Sequence, residues 1–310
     1  MGIFNAHIQI LCLEQEKYQL IKGNVLTLGQ QAVYSTLDAV TSKILSHKKI
    51  EIKKLPHGFD TTNKIPQWNG TPFEINTNAH SLLTMLGADK VYVADVSDYE
   101  DPDYLMDLNF PVDSDYHDRF DTIVDVGTLE HIFDVPIALQ NISKMLKIGG
   151  NLVFIVQCSN AIDHGFYMFS PTLFYDYFTS NGFTIKGCYL TEGSPYVYGK
   201  KRKLYKYNGV GAEIPFISQE NVEVAFIATK DKSESLKNFI KPTQGLYTNW
   251  KYWENNEMET SIRQSITTEF IKKNILKLAQ KWKNHIPFFI EKLVYGKKRR
   301  GKNIMYIGKY

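Results

Sequence analysis

The fold is decided by residues 120–156, which read FDTIVDVGTLEHIFDVPIALQNISKMLKIGGNLVFIV. The stretch opens with an apolar run that ends at Val126-Gly127 and closes with another run that is apolar throughout. Such runs are typical of strands buried on both faces in a parallel sheet. Between them, apolar residues recur at helical spacing after Asp134, which is suited to cap a helix, and Pro136, which suits its first turn. The stretch therefore predicts a strand, a helix and a second strand.

The same alternation extends along the chain in both directions. Short apolar runs end at Gly29 and at Asp95, with helical spacing between them, and a third, shorter element ends at Asp107. Two later runs, 182–185 and 222–227, predict a last pair of strands at the sheet edge. Strands that alternate with helices are joined by right-handed crossovers into a mainly parallel sheet. The sequence thus predicts an α/β fold with a Rossmann-like, doubly wound, mostly parallel seven-stranded sheet.

Three parts are predicted along the chain. Residues 1–22 contain a lead-in helix, residues 23–230 form the sheet domain, and residues 231–310 form a helical, basic C-terminal extension. Inside the domain, prolines and glycines punctuate residues 48–78. A segment of this length without regular structure is either a lid over a site or a surface insertion.

The composition narrows the class of protein. A hydrophobic content of 43% with 13% aromatic residues is ample for a buried core. The three cysteines (Cys12, Cys158 and Cys188) form no CxxC pair, so neither a disulfide framework nor a zinc site is predicted, and no other metal site is predicted. No apolar run approaches the roughly 18–20 residues that span a bilayer, and no basic start precedes the first apolar stretch. We expect a soluble protein in a reducing cytoplasm.

The charge is unevenly distributed along the chain. Residues 271–310 contain twelve lysines and arginines and one acid, Glu291, so they carry +11 while the remainder carries −8 of the total of +3. A basic amphipathic tail with aromatic residues suits an anionic membrane surface, which would place the protein peripherally at the inner membrane. The same tail would also bind an anionic polymer or nucleic acid, or form a solvated helix with a disordered end.

The residues at the predicted strand ends are candidates for ligand binding. In an open parallel sheet, ligands bind at the carboxyl ends of the strands where the strand order reverses. The candidates there are Gly29, Asp95, Asp107, Asp125 and Gly127. An acid after the second strand is placed to accept hydrogen bonds from ribose hydroxyls. The G-x-G-x-x-G pattern of a pyrophosphate site is absent, because Gln30 and Gln31 follow Gly29.

The block that runs from Phe120 through Thr128-Leu-Glu-His131 to Lys144-Met-Leu-Lys-Ile-Gly-Gly-Asn-Leu-Val resembles class I S-adenosylmethionine-dependent methyltransferases, and most closely their "type 11" branch, which modifies small molecules and glycans. The resemblance covers roughly residues 22–230. Two positions depart from the family pattern: Ile148 replaces a proline, and the first motif lacks its second and third glycines.

The resemblance implies S-adenosylmethionine as the cofactor and assigns residues to it. Gly29 and Gln30 would face its methionine end, and Asp95 would hold the ribose with Ser97 nearby. Asp107 would receive the adenine amino group, and Leu108 would pack on the ring. Asp125, Val126 and Gly127 would line the methionine side.

Methyl transfer to a hydroxyl needs an aligned acceptor and a base. Two histidines are the base candidates: His131, which follows Glu130 after the fourth strand, and His164, in the loop after the fifth. His131 alternatively fixes its loop, and His164 alternatively has a structural role. Asp163, Tyr167 and Ser170 are the candidate acceptor contacts, and Asp163 would orient the His164 imidazole.

The sequence therefore predicts a methyltransferase acting on an oxygen or nitrogen of a small polar or sugar-containing acceptor, such as one used in polysaccharide biosynthesis. A second hypothesis is a degenerate Rossmann-like subunit that binds a protein partner without catalysis. A nicotinamide oxidoreductase is disfavoured by the missing pyrophosphate pattern. Nucleic-acid modification is also disfavoured, because the chain has no Asn/Asp-Pro-Pro-aromatic tetrad and no Pro-Cys nucleophile.

Overall fold

A computed structural model of the 310-residue chain describes residues 2–61, 76–193, 201–208, 216–231, 239–245 and 304–310. Its centre is a nine-stranded sheet with helices on both faces.

One half of the sheet is entirely parallel. In spatial order it contains five strands: β5 (Tyr104–Leu105), β4 (Ala88–Asp95), β2 (Gly23–Leu28), β6 (Phe120–Val126) and β7 (Leu146–Ser159). Every neighbouring pair in this half is parallel. The chain first builds outward from β2 through β4 to β5 and then returns to the other side of β2 with β6 and β7. This change of direction is the doubly wound arrangement predicted from the sequence.

The other half is antiparallel. From β7 outward it contains β10 (Val222–Lys230), β8 (Phe183–Glu192), β9 (Lys203–Tyr207) and β11 (Ile304–Lys309). Each of these strands runs antiparallel to its neighbours. Seven of the nine strands consequently point in one direction, and β9 and β10 point in the other.

The predicted count of seven strands is wrong. The predicted last pair is present as β8 and β10, but β9 and β11 extend the sheet beyond it. Both additional strands are short, with five residues in β9 and six in β11. Strand β11 also corrects the predicted tail, since residues 304–309 pair with β9 instead of continuing a helix.

Among the described residues, five α-helices cover the two faces: α1 (Asn5–Tyr18), α2 (Leu37–Leu45), α3 (Ala79–Leu86), α4 (Val135–Met145) and α5 (Pro171–Ser180). One core contains residues of α4 and α5, and the other contains residues of α1, α2 and α3. Neighbouring strand residues alternate between the cores, so that Ile123 belongs to the first and Val124 to the second. Each such fully buried apolar side chain contributes about 1.5–3 kcal/mol.

The helix ends follow the sequence signals. Asp134 caps α4 by accepting a hydrogen bond from the Ile137 backbone at 3.2 Å, as predicted. The lead-in helix is present as α1, and just before it a short strand, β1 (Gly2–Ile3), pairs with β3 (Ala32–Val33).

Parts of two predicted features lie outside the described residues: 62–75 of the proposed lid, and 232–238 and 246–303 of the basic extension. None of the helices in the described part of the chain combines the length and apolarity needed to cross a bilayer.

Candidate functional site

The candidate site lies where the winding of the sheet reverses, between β2 and β6. Leu28 of β2 pairs with Ala94 of β4 on one side and with Asp125 of β6 on the other. The residues that follow these strands therefore emerge at one edge and at one level. This is the position at which doubly wound sheets bind their ligands.

Gly29 begins the loop after β2 in a conformation that favours glycine. Its φ is +75°, and its N–H donates to the Ala94 carbonyl at 2.7 Å. A Cβ at this position would lie 3.0 Å from Oγ1 of Thr128, which itself donates to the Leu28 carbonyl at 2.5 Å. A side chain here would be strained and crowded, so glycine keeps the backbone open to a ligand.

Asp95 ends β4 beside Gly29. Its Oδ1 accepts a hydrogen bond from the Ser97 backbone at 3.0 Å. Its Oδ2 accepts none from the described residues and lies 3.6 Å from where a Cβ on Gly29 would stand. The carboxylate is half-buried and open at this edge, which suits it to accept hydrogen bonds from a pair of ribose hydroxyls. Ser97 is exposed, and its hydroxyl accepts a hydrogen bond from the Tyr99 backbone at 3.1 Å.

The Gln31 side chain holds the turn after β2. A pyrophosphate-binding loop has its second glycine at this position. Nε2 of Gln31 donates to the Leu28 carbonyl at 2.6 Å and to the Gly29 carbonyl at 3.3 Å. The side chain is buried beneath the turn, while Gln30 is half-buried above it. Because these contacts fix the turn through a side chain, they do not create the run of free backbone N–H groups that cradles a phosphate.

Asp107 and Leu108 follow β5. Oδ1 of Asp107 accepts hydrogen bonds from the backbone and the side chain of Asn109, at 2.9 and 2.8 Å, which forms a local turn. The Asp107 side chain is exposed at the sheet edge, whereas that of Leu108 packs in the core. Their roles toward an adenine ring stay predictions.

Asp125 does not present its carboxylate to the ligand edge. The residue is fully buried, and its two oxygens accept hydrogen bonds from the backbone N–H groups of Thr128 and Leu129, at 2.7 and 3.1 Å. Of the three acids expected at the strand ends, two therefore remain available to a ligand and the third stabilises the turn after β6. Val126 is likewise buried, so that only the backbone here, including Gly127 with its φ of +91°, can line the site.

A second group of side chains lies just beyond that turn. Glu130, His131 and His164 each place one ligand atom within 4.8 Å of those of the other two. Glu130 is fully buried, and neither of its carboxylate oxygens has a hydrogen-bond partner among the described residues. Nε2 of His164 is also buried without a partner and lies 3.7 Å from Oε1 of Glu130. The His131 and His164 ring centroids are 5.1 Å apart.

The loop after β7 is fixed so that His164 reaches this group. The Phe166 N–H donates to the Glu130 carbonyl at 2.8 Å, and a Cβ on Gly165 would lie only 2.7 Å from the same oxygen. Glycine at 165 therefore permits the close approach of the two backbones. Asp163 stands just before with a φ of +65°, a left-handed conformation that is uncommon for a residue other than glycine.

The local environment shifts the pKa values of all three side chains. Burial raises the pKa of Glu130, and repulsion from Asp125 raises it further. Partial desolvation by its surroundings lowers the pKa of His131, although the side chain keeps an exposed face, and the neighbouring His164 adds to the effect. Burial likewise lowers the pKa of His164. Both imidazoles are therefore held in the neutral form, which is the form that accepts a proton or binds a metal ion.

The three predicted acceptor contacts are positioned differently. The Tyr167 hydroxyl donates to the Phe133 carbonyl at 2.9 Å, which ties the two loops together. Ser170 caps α5, and its hydroxyl accepts the Thr172 N–H at 3.3 Å. The Asp163 side chain is exposed beside His164. The contacts of these three residues with an acceptor stay predictions.

Aromatic side chains stand exposed around the same edge. Phe133 and Phe166 are 69% and 66% exposed and pack edge to face with centroids 5.8 Å apart. Phe110, after β5, is 65% exposed. Exposed rings beside open polar groups are typical of a wall that orients a bound molecule.

A separate hollow of about 260 Å³ lies at the opposite end of β4. Its lining residues are Lys53, Lys54, Pro56, Phe59, His80, Thr84, Asp89, Lys90 and Val91. It contains none of the residues at the reversal point.

Sequence reasoning missed three residues that organise this edge: Thr128, Glu130 and Gly165. The sequence did contain an indication for Glu130, because a carboxylate directly before a histidine, just after a strand end, is typical of a functional site. The role of Gly165 depends on a contact with residue 130, which no local pattern reveals.

No protein-family model matches the sequence, and no curated protein matches it. The structure is similar to several solved structures at low scores. It shares 13% identity and a TM-score of 0.34 with the CurJ carbon methyltransferase, over 70% of this chain and 51% of that one, so the chain spans about half of that protein.

Two further solved structures are similar to a comparable degree. For the Burkholderia thailandensis 1,6-didemethyltoxoflavin-N1-methyltransferase with bound S-adenosylhomocysteine, the identity is 11% and the TM-score 0.36, over 74% of this chain and 79% of that one. For the YcgJ protein from Bacillus subtilis, the values are 10% and 0.35, over 73% and 99%. Likeness at this level assigns neither a family nor an activity to the chain.

Proposed function

We propose that the chain is an S-adenosylmethionine-dependent methyltransferase. The observation that carries the proposal is the pairing of Gly29 and Asp95 at the reversal point of the sheet. Gly29 has no Cβ to cover its backbone there, and Oδ2 of Asp95 accepts no hydrogen bond from the described residues. This oxygen lies 3.6 Å from the position that a Cβ on Gly29 would take. The resemblance of residues 120–157 to this class of enzyme supports the same proposal.

The residues at the edge fit an adenosine-containing cofactor. Asp95 would accept the ribose hydroxyls, Asp107 would receive the adenine amino group, and the backbone at Gly29 and Gly127 would lie along the methionine portion. The missing glycines and the buried Gln31 disfavour a pyrophosphate. The position of β10 supports a cofactor without a pyrophosphate. In the dinucleotide-binding order, a sixth parallel strand continues the sheet beside the fifth. Here β7 is the fifth parallel strand, and the antiparallel strand β10 lies beside it.

The bound cofactor would supply an electrophilic methyl group on a sulfonium, and the protein would supply alignment and a base. The neutral imidazoles of His131 and His164 are suited to take the proton of an acceptor hydroxyl or amine as the new bond forms. Phe133 and Phe166 would bind the apolar face of the acceptor and hold it in line. His131 is exposed, which leaves it accessible to an acceptor entering from solvent.

The acceptor that we propose is a small polar or sugar-containing molecule that is methylated on oxygen or nitrogen, in line with the glycan-modifying branch that the sequence resembles. A role in surface polysaccharide biosynthesis and contact of residues 271–310 with an anionic membrane belong to the same proposal. The twelve basic residues of that segment support it.

A second candidate function is a non-catalytic, partner-binding subunit. The observation that favours it is the buried Gln31 side chain, which occupies the turn where the family has glycine. The two functions differ in cofactor binding, which is directly measurable.

The test is isothermal titration of the full chain with S-adenosylhomocysteine. We expect binding by the natural protein and a loss of roughly ten- to a hundredfold in affinity for Asp95→Ala, because hydrogen bonds to a charged group contribute about 1.5–3 kcal/mol. The control is Asp115→Ala, which removes a carboxylate charge from the exposed 3-10 turn before β6, outside the reversal point. Absence of binding at millimolar ligand by a folded chain would favour the partner-binding subunit.

A further inference from the structure

We propose that Glu130, His131 and His164 together bind one divalent metal ion of the zinc type, with coordination positions left open for an oxygen of a second ligand. The proposal goes beyond methyl transfer and stands on the geometry of these three side chains alone. It is an alternative to the base role of His131 and His164, because an imidazole lone pair that binds the ion cannot also accept a proton.

The spacing of the ligand atoms suits one shared ion. Zinc binds histidine nitrogens at about 2.0–2.1 Å and carboxylate oxygens at about 2.0–2.2 Å, so ligands of one ion lie at most about 4 Å apart. The three atoms here already lie within 4.8 Å of one another, and the Glu130–His164 pair is at 3.7 Å. Small rotations of the side chains would bring all three onto a common ion.

The polar atoms that face this point lack other partners. Both oxygens of Glu130 and Nε2 of His164 are buried and accept or donate no hydrogen bond among the described residues. A buried carboxylate without a donor is strongly unfavourable unless a cation or a proton neutralises it. A direct Glu130–His164 hydrogen bond would relieve the problem, but 3.7 Å is too long for one.

The surrounding backbone holds the ligands in place before any ion binds. Glu130 and His131 are adjacent in the 3-10 turn Leu129–His131, and this turn is held by the Asp125 carboxylate. His164 is brought in by the loop that hydrogen bonds to the Glu130 carbonyl, a contact that Gly165 permits. Fixed ligands of this kind give a metal site its affinity and its geometry.

The ligand set indicates which ion binds and what else it would hold. Two imidazoles and one carboxylate suit zinc and related transition metals, whereas magnesium prefers oxygen ligands and retains its water. Three protein ligands with an open position are typical of zinc sites that bind a further molecule. His131 is exposed and Phe133 and Phe166 flank the opening, so the second ligand would be an oxygen donor, such as a hydroxyl, on a molecule bound at this edge.

The experiment is isothermal titration of the chelator-treated full chain with zinc chloride, and separately with magnesium chloride, in the absence of any cofactor. We expect one zinc ion per chain, little or no magnesium binding, and at least roughly tenfold weaker zinc binding in Glu130→Gln and in His164→Asn. His57→Ala is the matched control, because His57 is exposed and remote from the cluster, and its zinc affinity should equal that of the natural chain. Substitution by cobalt(II) should give a visible absorption band that the two variants lack.

Circular dichroism checks that each variant is folded. If a buried variant does not fold, His131→Asn replaces it, since His131 is exposed and its loss removes one ligand at little structural cost. The proposal is overturned if the natural chain binds no zinc at submillimolar concentration. It is equally overturned if the folded ligand variants bind zinc as tightly as the natural chain. Because no cofactor is present, neither result bears on S-adenosylhomocysteine binding.

Discussion

Two glutamates are fully buried, yet they differ in their hydrogen-bond partners. Glu223, in β10, has three donors on one oxygen: its Oε2 accepts hydrogen bonds from His7 at 2.8 Å, from Thr191 at 2.7 Å and from Arg202, while its Oε1 has no donor among the described residues. Glu130, in the turn after β6, has no donor on either oxygen among the described residues. The positive partners hold the pKa of Glu223 well below its usual value despite its burial, while burial and a neighbouring acid raise that of Glu130.

The difference separates a structural carboxylate from one that is available for chemistry. The Glu223 group joins α1, β8 and the segment before β9, and Arg202 also stacks on the Phe4 ring with its guanidinium 4.3 Å from the ring centroid. Glu130 connects nothing through its side chain and faces two histidines at the open edge of the sheet. Strongly perturbed groups without a structural partner are typical of functional sites.

The largest predicted effect is on stability. Glu223→Ala should lower the free energy of unfolding by about 3–5 kcal/mol, because it leaves the Arg202 charge buried without its partner. Glu130→Gln should change it by less than about 1 kcal/mol, since it removes a buried carboxylate that has no donor. Urea denaturation of both variants measures the difference. Equal losses would mean that both glutamates are structural.

The acid dependence of stability should follow Glu223. The ion pairs with His7 and Arg202 lower the pKa of its carboxyl from 4.5 to about 2, with burial opposing them. This stabilisation is complete above the unfolded pKa of about 4.5 and is lost as the pH falls toward 2. Urea titrations between pH 6 and pH 2 should show a shallower loss for Glu223→Gln than for the natural chain. Parallel curves would contradict the assignment of the acid loss to this group.

A second comparison concerns the backbone conformation of two glycines, Gly29 and Gly149. Gly29 and Gly149 share a φ of +75°, but they differ in the space around them. A Cβ added at Gly29 would lie 3.0 Å from Oγ1 of Thr128, whereas a Cβ added at Gly149 would have no other atom within 4 Å. Both alanine variants should lose about 1–2 kcal/mol of stability from the left-handed backbone. Only Gly29→Ala should also weaken S-adenosylhomocysteine binding, by roughly tenfold or about 1.4 kcal/mol. Isothermal titration of the two alanine variants with S-adenosylhomocysteine measures this difference. Equal affinities would show that Gly29 does not line the cofactor site.

The smallest predicted effect concerns Ser170. Because its hydroxyl caps α5, Ser170→Ala should cost about 1 kcal/mol of stability, as loss of a helix cap usually does. Its affinity for S-adenosylhomocysteine should be unchanged. A thermal melt and one titration test this, and a loss of affinity without a loss of stability would place Ser170 at the ligand.

The sequence predicted much of the parallel half of the sheet, because apolar runs and caps such as Asp134 are local signals. It did not predict β9 and β11, whose pairing depends on segments a hundred residues apart. It placed Gly29 and Asp95 correctly at strand ends, but it could not show that the Asp125 carboxylate turns inward to two backbone N–H groups. It named His131 and His164 as base candidates, but it did not predict that both lie beside Glu130, because His164 arrives through a loop whose path depends on Gly165.

The most direct test of the proposed cofactor site is a crystal structure of the full chain with S-adenosylhomocysteine. We expect the ribose hydroxyls within hydrogen-bond distance of the Asp95 carboxylate, the methionine portion along Gly29, and the sulfur facing the edge that contains His131 and His164. Density for the ligand in the hollow between Lys53 and His80, or in any place away from Asp95 and Gly29, would contradict it.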